Sequence, residues 1–144
     1  MVADTLIQIR YHCLKACPPK MRSLVVCSTC KFSAEAKHAP DGRTGGEILI
    51  AAMHDVLAEQ ERNDVSVQTQ ICLWNCTRPC SVVMRDDERF SYVTGGNEPT
   101  KAQAEAILQW FDAHGATETG EVPFKQWPQA MRGHFIARMP PVKI

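Results

Sequence analysis

A single α/β domain is the fold class this sequence predicts, on three observations. A short apolar run, Leu24-Val25-Val26, and an alternating run from Val65 to Ile71 have the length and β-branched content of strands. Between them Ile48, Leu49, Ala52, Met53, Val56 and Leu57 repeat at helical spacing. The chain has 144 residues, enough to bury one core without disulfide staples.

Each element has a local reason. Residues 1–20 are mixed in character, with a weak strand-like stretch at Leu6-Ile7-Gln8-Ile9 and two cysteines, Cys13 and Cys17. They are expected to be a flexible N-terminal extension, and Met21 is a sensible alternative start. The folded domain is then 21–144. After the strand Leu24–Val26 and a polar loop from Lys31 to Arg43, Thr44-Gly45-Gly46-Glu47 opens a helix as a capping box. Asn63-Asp64 ends it and leads into the strand Val65–Ile71. Ser81–Met84 and Phe90–Thr94 flank a turn and read as an antiparallel hairpin. Thr100 with Gln103 caps a second helix, whose face is Ala104, Ile107, Leu108 and Phe111, and His114-Gly115 stops it.

The order strand, helix, strand, strand, strand, helix is the wiring of a thioredoxin-like domain (β-α-β-β-β-α). A right-handed crossover makes the first two strands parallel, with their C-terminal ends on one edge. Residues 116–144 are expected to be an irregular C-terminal extension packed over the sheet or the cysteine loops, with a short helix from Pro128 to about Gly133.

Sixteen basic and sixteen acidic side chains cancel, so no global field favours nucleic acid or an anionic membrane. No apolar run approaches membrane-span length, and the N-terminus is broken by Arg10, His12 and Lys15. The expected location is a reducing cytoplasm. Seven cysteines in such a compartment read as ligands or catalysts rather than disulfides.

Five of the cysteines fall in two groups, Cys27-Ser28-Thr29-Cys30 and Cys72-Leu73-Trp74-Asn75-Cys76-Thr77-Arg78-Pro79-Cys80. Each group follows a predicted strand. Parallel strands bring both loops to one sheet edge, beyond the carboxyl ends where ligand sites form. Thiolates delivered in pairs from two loops suit a thiophilic metal or an iron–sulfur cluster.

Val26-Cys27-Ser28-Thr29-Cys30-Lys31, Thr44-Gly45-Gly46-Glu47, Cys72-Leu73-Trp74-Asn75-Cys76, Cys80-Ser81-Val82, Phe90-Ser91-Tyr92 and Ala137-Arg138-Met139-Pro140-Pro141 carry a resemblance over about Leu24–Pro141. The chain resembles a bacterial family of predicted metal-binding proteins, similar in pattern to the thioredoxin-like 2Fe–2S ferredoxins. The resemblance implies the thioredoxin-like fold, a metal centre, and a link with cobalamin or metal metabolism. In those ferredoxins one thiolate follows the first strand and a Cys-x3-Cys pair follows the second. Cys27, Cys72 and Cys76 match these positions. The ferredoxins place their second ligand farther along the first loop, where this chain has only Cys30 nearby, and Cys80 is additional.

Three chemistries compete for these thiols. The first is a 2Fe–2S cluster on Cys27, Cys30, Cys72 and Cys76, with Cys80 in reserve, acting as an electron carrier rather than an enzyme. The backbone N–H groups of Gly45 and Gly46 could bond its sulfurs; the plainer reading of these glycines is a tight helix start. The second is zinc or another thiophilic metal, where the fifth thiol would serve exchange or trafficking. The third is a dithiol oxidoreductase on Cys27 and Cys30, with Pro79 placed like the cis-proline of such enzymes. The partner is expected to be a redox or metal-accepting protein, and a homodimer is left open. Trp74 is expected as a lid over the site and His54 as a half-buried structural residue; His38 could approach the metal, its plainer reading being a solvated loop histidine, and His134 has no partner in sequence. Arg43 and Arg78 flank the cysteine loops without a clear role.

Overall fold

The computed structural model describes residues 22–142, and the extension 1–20 with its two cysteines lies outside them. Along these residues run β1 (Arg22–Cys27), α1 (Gly45–Glu59), β2 (Ser66–Gln70), β3 (Val82–Asp86), β4 (Ser91–Thr94), α2 (Lys101–Gly115) and β5 (Phe135–Met139). The sheet order is β2-β1-β3-β4-β5. β1 and β2 are parallel, paired from Ser23 with Ser66 to Cys27 with Gln70. The remaining pairs are antiparallel. The crossover through α1 therefore brings both cysteine loops to one edge, as the element order requires.

Alternation along the strands assigns the two faces. Leu24 and Val26 of β1 pair with Met84 and Val82 of β3, and these four side chains are fully buried. They meet Leu49, Met53 and Val56 of α1 and Ile107, Leu108 and Phe111 of α2 in one core. Burying each such side chain is worth about 1.5–3 kcal/mol. Both helices begin as the sequence predicts. The Thr44 hydroxyl accepts from the Glu47 N–H at 3.1 Å while the Glu47 carboxylate accepts from the Thr44 N–H at 2.8 Å. The Thr100 hydroxyl accepts from the Gln103 N–H at 3.2 Å.

The C-terminal stretch departs from expectation. Two single 3-10 turns, Phe124–Gln126 and Gln129–Met131, lead into β5, which adds a fifth strand beside β4. Pro128 does start a turn, of three residues rather than a longer helix. Aromatic packing anchors this segment. The Phe135 ring lies 4.3 Å from Trp110 and 4.6 Å from Trp127, and the Trp127 indole N–H donates to the Val122 carbonyl at 2.9 Å. His54 also departs from expectation, since it points outward from α1 and is exposed.

A buried ionic cluster closes the sheet end opposite the cysteines. Asp86 takes Arg22 at 3.2 Å and Arg89 at 3.1 Å. Arg22 also donates to His114 Nδ1 at 3.1 Å, and His114 Nε2 lies 2.6 Å from the Phe90 carbonyl oxygen. A guanidinium only donates, so Nδ1 accepts and the proton sits on Nε2. His114 is therefore neutral in the fold. Burial holds its pKa below the ordinary histidine value, and the nearby Arg22 charge acts the same way against the Phe90 hydrogen bond.

A histidine with a lowered folded pKa gives stability that is present above its unfolded value and lost as pH falls toward the folded value. Denaturant titrations at a series of pH values should show unfolding free energy declining on acidification from about pH 6.5. In His114→Gln this slope should flatten, and an unchanged slope would assign it to another group.

Candidate thiolate site

Cys27 is the last residue of β1 and pairs with Gln70, so the chain leaving β2 starts beside it. The loops are laced together by their backbones. The Ser28 N–H donates to the Gln70 carbonyl at 2.9 Å, and the Cys27 N–H to the Ser81 carbonyl at 3.1 Å. The Thr29 hydroxyl donates to the Ile71 carbonyl, and the Thr44 hydroxyl to the Ser28 carbonyl. Thus the capping residue of α1 also fastens the first cysteine loop.

The start of α1 lies directly on that loop. A Cβ on Gly46 would stand 1.9 Å from the Cys27 carbonyl oxygen. One on Gly45 would stand 2.4 Å from the Lys31 carbonyl oxygen and 3.0 Å from Cys80 Sγ. Only glycine permits this approach. The Gly46 N–H donates to the Cys30 carbonyl at 3.3 Å, so it is directed to an oxygen of the loop, and Gly45 is the residue set against a sulfur.

Cys27, Cys30 and Cys80 are buried, whereas Cys72 and Cys76 are exposed. Cys80 enters the interior through a left-handed backbone, φ 54°. Its carbonyl accepts from Asn97 Nδ2 at 2.8 Å, and Asn97 in turn accepts from Gln103 Nε2 at 3.2 Å. Gln103 also reaches the Ala130 carbonyl at 3.3 Å. A buried polar chain therefore links the C-terminal turn, α2 and the Cys80 backbone.

The three buried thiols feel one another. Burial pushes the Cys80 thiol up to about 12, with charge on Cys30 and Cys27 acting in the same direction. Burial likewise pushes Cys30 up to about 11, against N–H groups of Ser81 and Cys80 and with the Cys27 thiol reinforcing it. At Cys27 burial is outweighed by hydrogen bonds from the Cys30 thiol, the Leu73 and Thr29 N–H groups and the Thr29 hydroxyl. Its pKa lies below the ordinary thiol value.

The thiols of Cys72 and Cys76 stand outside this trio. The Trp74 N–H donates to Cys72 Sγ at 3.3 Å. Trp74 itself, at φ 56°, is 92 % exposed and covers nothing, contrary to the lid expected of it. Cys76 and Cys30 share a pocket of about 360 Å³ with Thr29, Lys31 and Lys37. Among the described residues no three His, Cys, Asp or Glu side chains are gathered as ligands of one ion. The donor chemistry still fits a soft metal, because five free thiols reach one sheet edge from two loops.

The remaining candidates are structural. Arg43 pairs with Asp41 at 2.8 Å, and Arg78 ties the second loop to the Gly133 carbonyl at 2.6 Å. His38 is exposed and its backbone bridges to Thr44, and His134 Nδ1 lies 3.1 Å from the Gly95 carbonyl oxygen. No peptide bond among the described residues is cis, so Pro79 lacks the geometry expected of a dithiol enzyme. Asn97 and Asn75 escaped the sequence reading. Asn75 donates to Ser81 Oγ at 2.9 Å, and its only local signal is a place between two cysteines.

Two outcomes follow from this geometry. Under native reducing conditions, peptide-resolved alkylation should modify Cys72 and Cys76 well before Cys30 and Cys80. Asn97→Ala should expose Cys80 to the reagent and cost about 1–3 kcal/mol of unfolding free energy; protection unchanged in this variant would remove Asn97 from the account. Gly46→Ala should cost at least about 2 kcal/mol in denaturant unfolding, because its Cβ meets backbone rather than a movable side chain.

No curated protein matches the chain. Among solved structures, a thioredoxin-like [2Fe–2S] ferredoxin from Aquifex aeolicus is similar at 15 % identity and a TM-score of 0.51. The match covers 87 % of this chain and 99 % of that one. This likeness establishes the thioredoxin-like fold. No helix among the described residues is long and apolar enough to cross a membrane. The family model for a protein of unknown function (DUF1636) matches residues 24–141, nearly the whole described domain, and the chain belongs to that family.

Proposed function

We propose that this protein is a metal–thiolate electron carrier whose centre is a 2Fe–2S cluster on Cys27, Cys30, Cys72 and Cys76, with Cys80 as the fifth thiol. One observation carries the reading: two separate cysteine groups reach a single sheet edge as free thiols, laced together by backbone hydrogen bonds. The likeness of fold to a [2Fe–2S] ferredoxin supports it. Such a cluster supplies one-electron transfer when bound. The chain's own part is to hold thiolates and exclude water. Cys27, with its lowered pKa, is the readiest to ligate. Gly45 and Gly46 let α1 seal the inner side of the site. The exposed Cys72–Cys76 loop faces the partner, a redox protein that docks beside Trp74.

The uneven burial of the thiols favours a second reading, zinc or another thiophilic metal held for delivery. Three inside thiols and two outside ones suit stepwise exchange of a soft ion. A dithiol oxidoreductase on Cys27 and Cys30 is the third chemistry. The lowered Cys27 thiol favours it, but fourteen residues separate Cys30 from the start of α1, so that helix does not open on the motif.

Metal and acid-labile sulfide should be measured on protein purified without oxygen, together with a visible spectrum. Iron and sulfide near two each per chain, with colour that bleaches on reduction, is the expected result. Zinc, or free thiols without metal, would sink the electron-carrier reading. Single Cys→Ser variants at Cys27, Cys30, Cys72 and Cys76 should each lose or alter the spectrum, whereas Cys80→Ser should retain it.

A further inference from the structure

Between the two cysteine groups lies a cleft of about 360 Å³, the scale on which small molecules are held. One thiol of each group lines it, Cys30 from the first and Cys76 from the second, together with Lys31, Glu35 and Lys37. These three charged groups have no ion-pair partner among the described residues, whereas Asp41 and Arg43 a little farther along the loop neutralise each other.

Both walls of the cleft are braced by their own backbones. On one side the Phe32 N–H donates to the Lys37 carbonyl at 3.0 Å and the Ser33 N–H to the Ala36 carbonyl at 2.9 Å. The Ser33 hydroxyl accepts from the Ala36 N–H at 3.0 Å, so Glu35 sits at the tip of a closed loop and Lys37 at its base. On the other side the Arg78 N–H donates to the Asn75 carbonyl at 3.1 Å, closing a turn with Cys76 at its second position. Cys76 is exposed, while Cys30 is 6 % exposed, so Cys76 is the thiol a reagent in the cleft meets.

Two cations, one anion and an accessible thiol make a specific combination. Its complement is a small thiol that carries two carboxylates and one ammonium group, the chemistry of glutathione. Cys72 offers a comparison within the same chain. It is exposed too, but it lines a separate groove with Val25, Leu73 and Val83.

We propose that the cleft is a thiolation site, where Cys76 forms a mixed disulfide with a glutathione-type thiol whose carboxylates meet Lys31 and Lys37 and whose ammonium group meets Glu35. The oxidised form of that thiol is the co-reactant. The Cys76 sulfur, having released its proton, attacks one sulfur of the disulfide; a new S–S bond forms to one half and the old S–S bond breaks. The other half leaves as a thiolate and takes up the proton. The inference goes beyond the metal–thiolate reading and does not need it, because it concerns the chain with its thiols free.

The test uses the full chain, stripped of metal by a chelator, reduced, and desalted without oxygen. It is exposed to oxidised glutathione or to the uncharged 2-hydroxyethyl disulfide, and modification is followed by peptide mass spectrometry. With oxidised glutathione, Cys76 should react about tenfold faster than Cys72, the factor that two or three exposed ion pairs supply together, and salt should reduce the preference. With the uncharged reagent the two thiols should react at similar rates. Reversing both cations, Lys31→Glu with Lys37→Glu, should abolish the preference and leave the uncharged reaction as in the wild type. Lys37→Ala, at an exposed position, should lower the preference about threefold and keeps the test decisive where the double reversal disturbs folding. Equal rates at Cys72 and Cys76 with oxidised glutathione overturn the proposal. So does a preference that the uncharged disulfide shares, or one that survives the lysine variants. Metal content plays no part in this readout, so failure here leaves the metal–thiolate reading untouched, and failure of that reading leaves the thiolation site standing.

Discussion

The approach of the start of α1 to the first cysteine loop governs what lies around it. With no Cβ on Gly46, the helix backbone comes down on the Cys27 and Cys30 carbonyls, and with none on Gly45 it comes down beside the Cys80 sulfur. The helix then lies close enough to β1 for Leu49, Met53 and Val56 to fill the space above Leu24 and Val26. Thr44 couples these events, since its hydroxyl both caps α1 and ties down Ser28. The depth at which α1 is seated therefore sets the core packing and the thiol surroundings together. A larger residue at this point would lift the helix from both at once.

Polar groups inside the domain are ordered by the same economy. Asn97 and Gln103 satisfy one another, a loop carbonyl and the Cys80 carbonyl, without a charge among them. At the far end of the sheet Asp86 is charged, and two arginines are spent on it. Neutral amides hold the backbone of Cys80, and the closed ionic cluster lies at the other end of the sheet. The pKa values of Cys30 and Cys80 answer first to burial and then to hydrogen bonds and the neighbouring thiols.

The fold was largely legible in the sequence because its signals are local. A capping box at Thr44, an N-cap at Thr100, a helical stripe and two strand runs bounded by cysteines specify α1, α2, β1 and β2 without reference to tertiary partners. β5 was not legible. Phe135 to Met139 has neither clean alternation nor a turn joining it to β4, and two prolines follow it. Its strand conformation comes from Phe135 locking into Trp110 and Trp127, a contact made across the chain. At the site, the cysteine groups and their common edge could be read from spacing. The division into inner and outer thiols could not. Cys80 is turned inward by a left-handed backbone and an amide seventeen residues away, and Trp74 outward by a similar backbone turn. Spacing carries no record of either.

The parallel pairing of β1 and β2 also fixes when the site can exist. Cys27 and Cys72 are separated by the whole crossover, and nothing in the extended chain holds them near each other. Closing so long a loop costs entropy before any contact repays it, so the pairing belongs to the later stages of folding. Ribosomal synthesis adds a second delay, because β2 and its cysteines emerge well after Cys27 and Cys30. A nascent chain thus presents two separate, short thiol motifs, and the five-thiol edge appears only once the crossover has closed around α1. Anything that recognises that edge as a unit senses a finished domain.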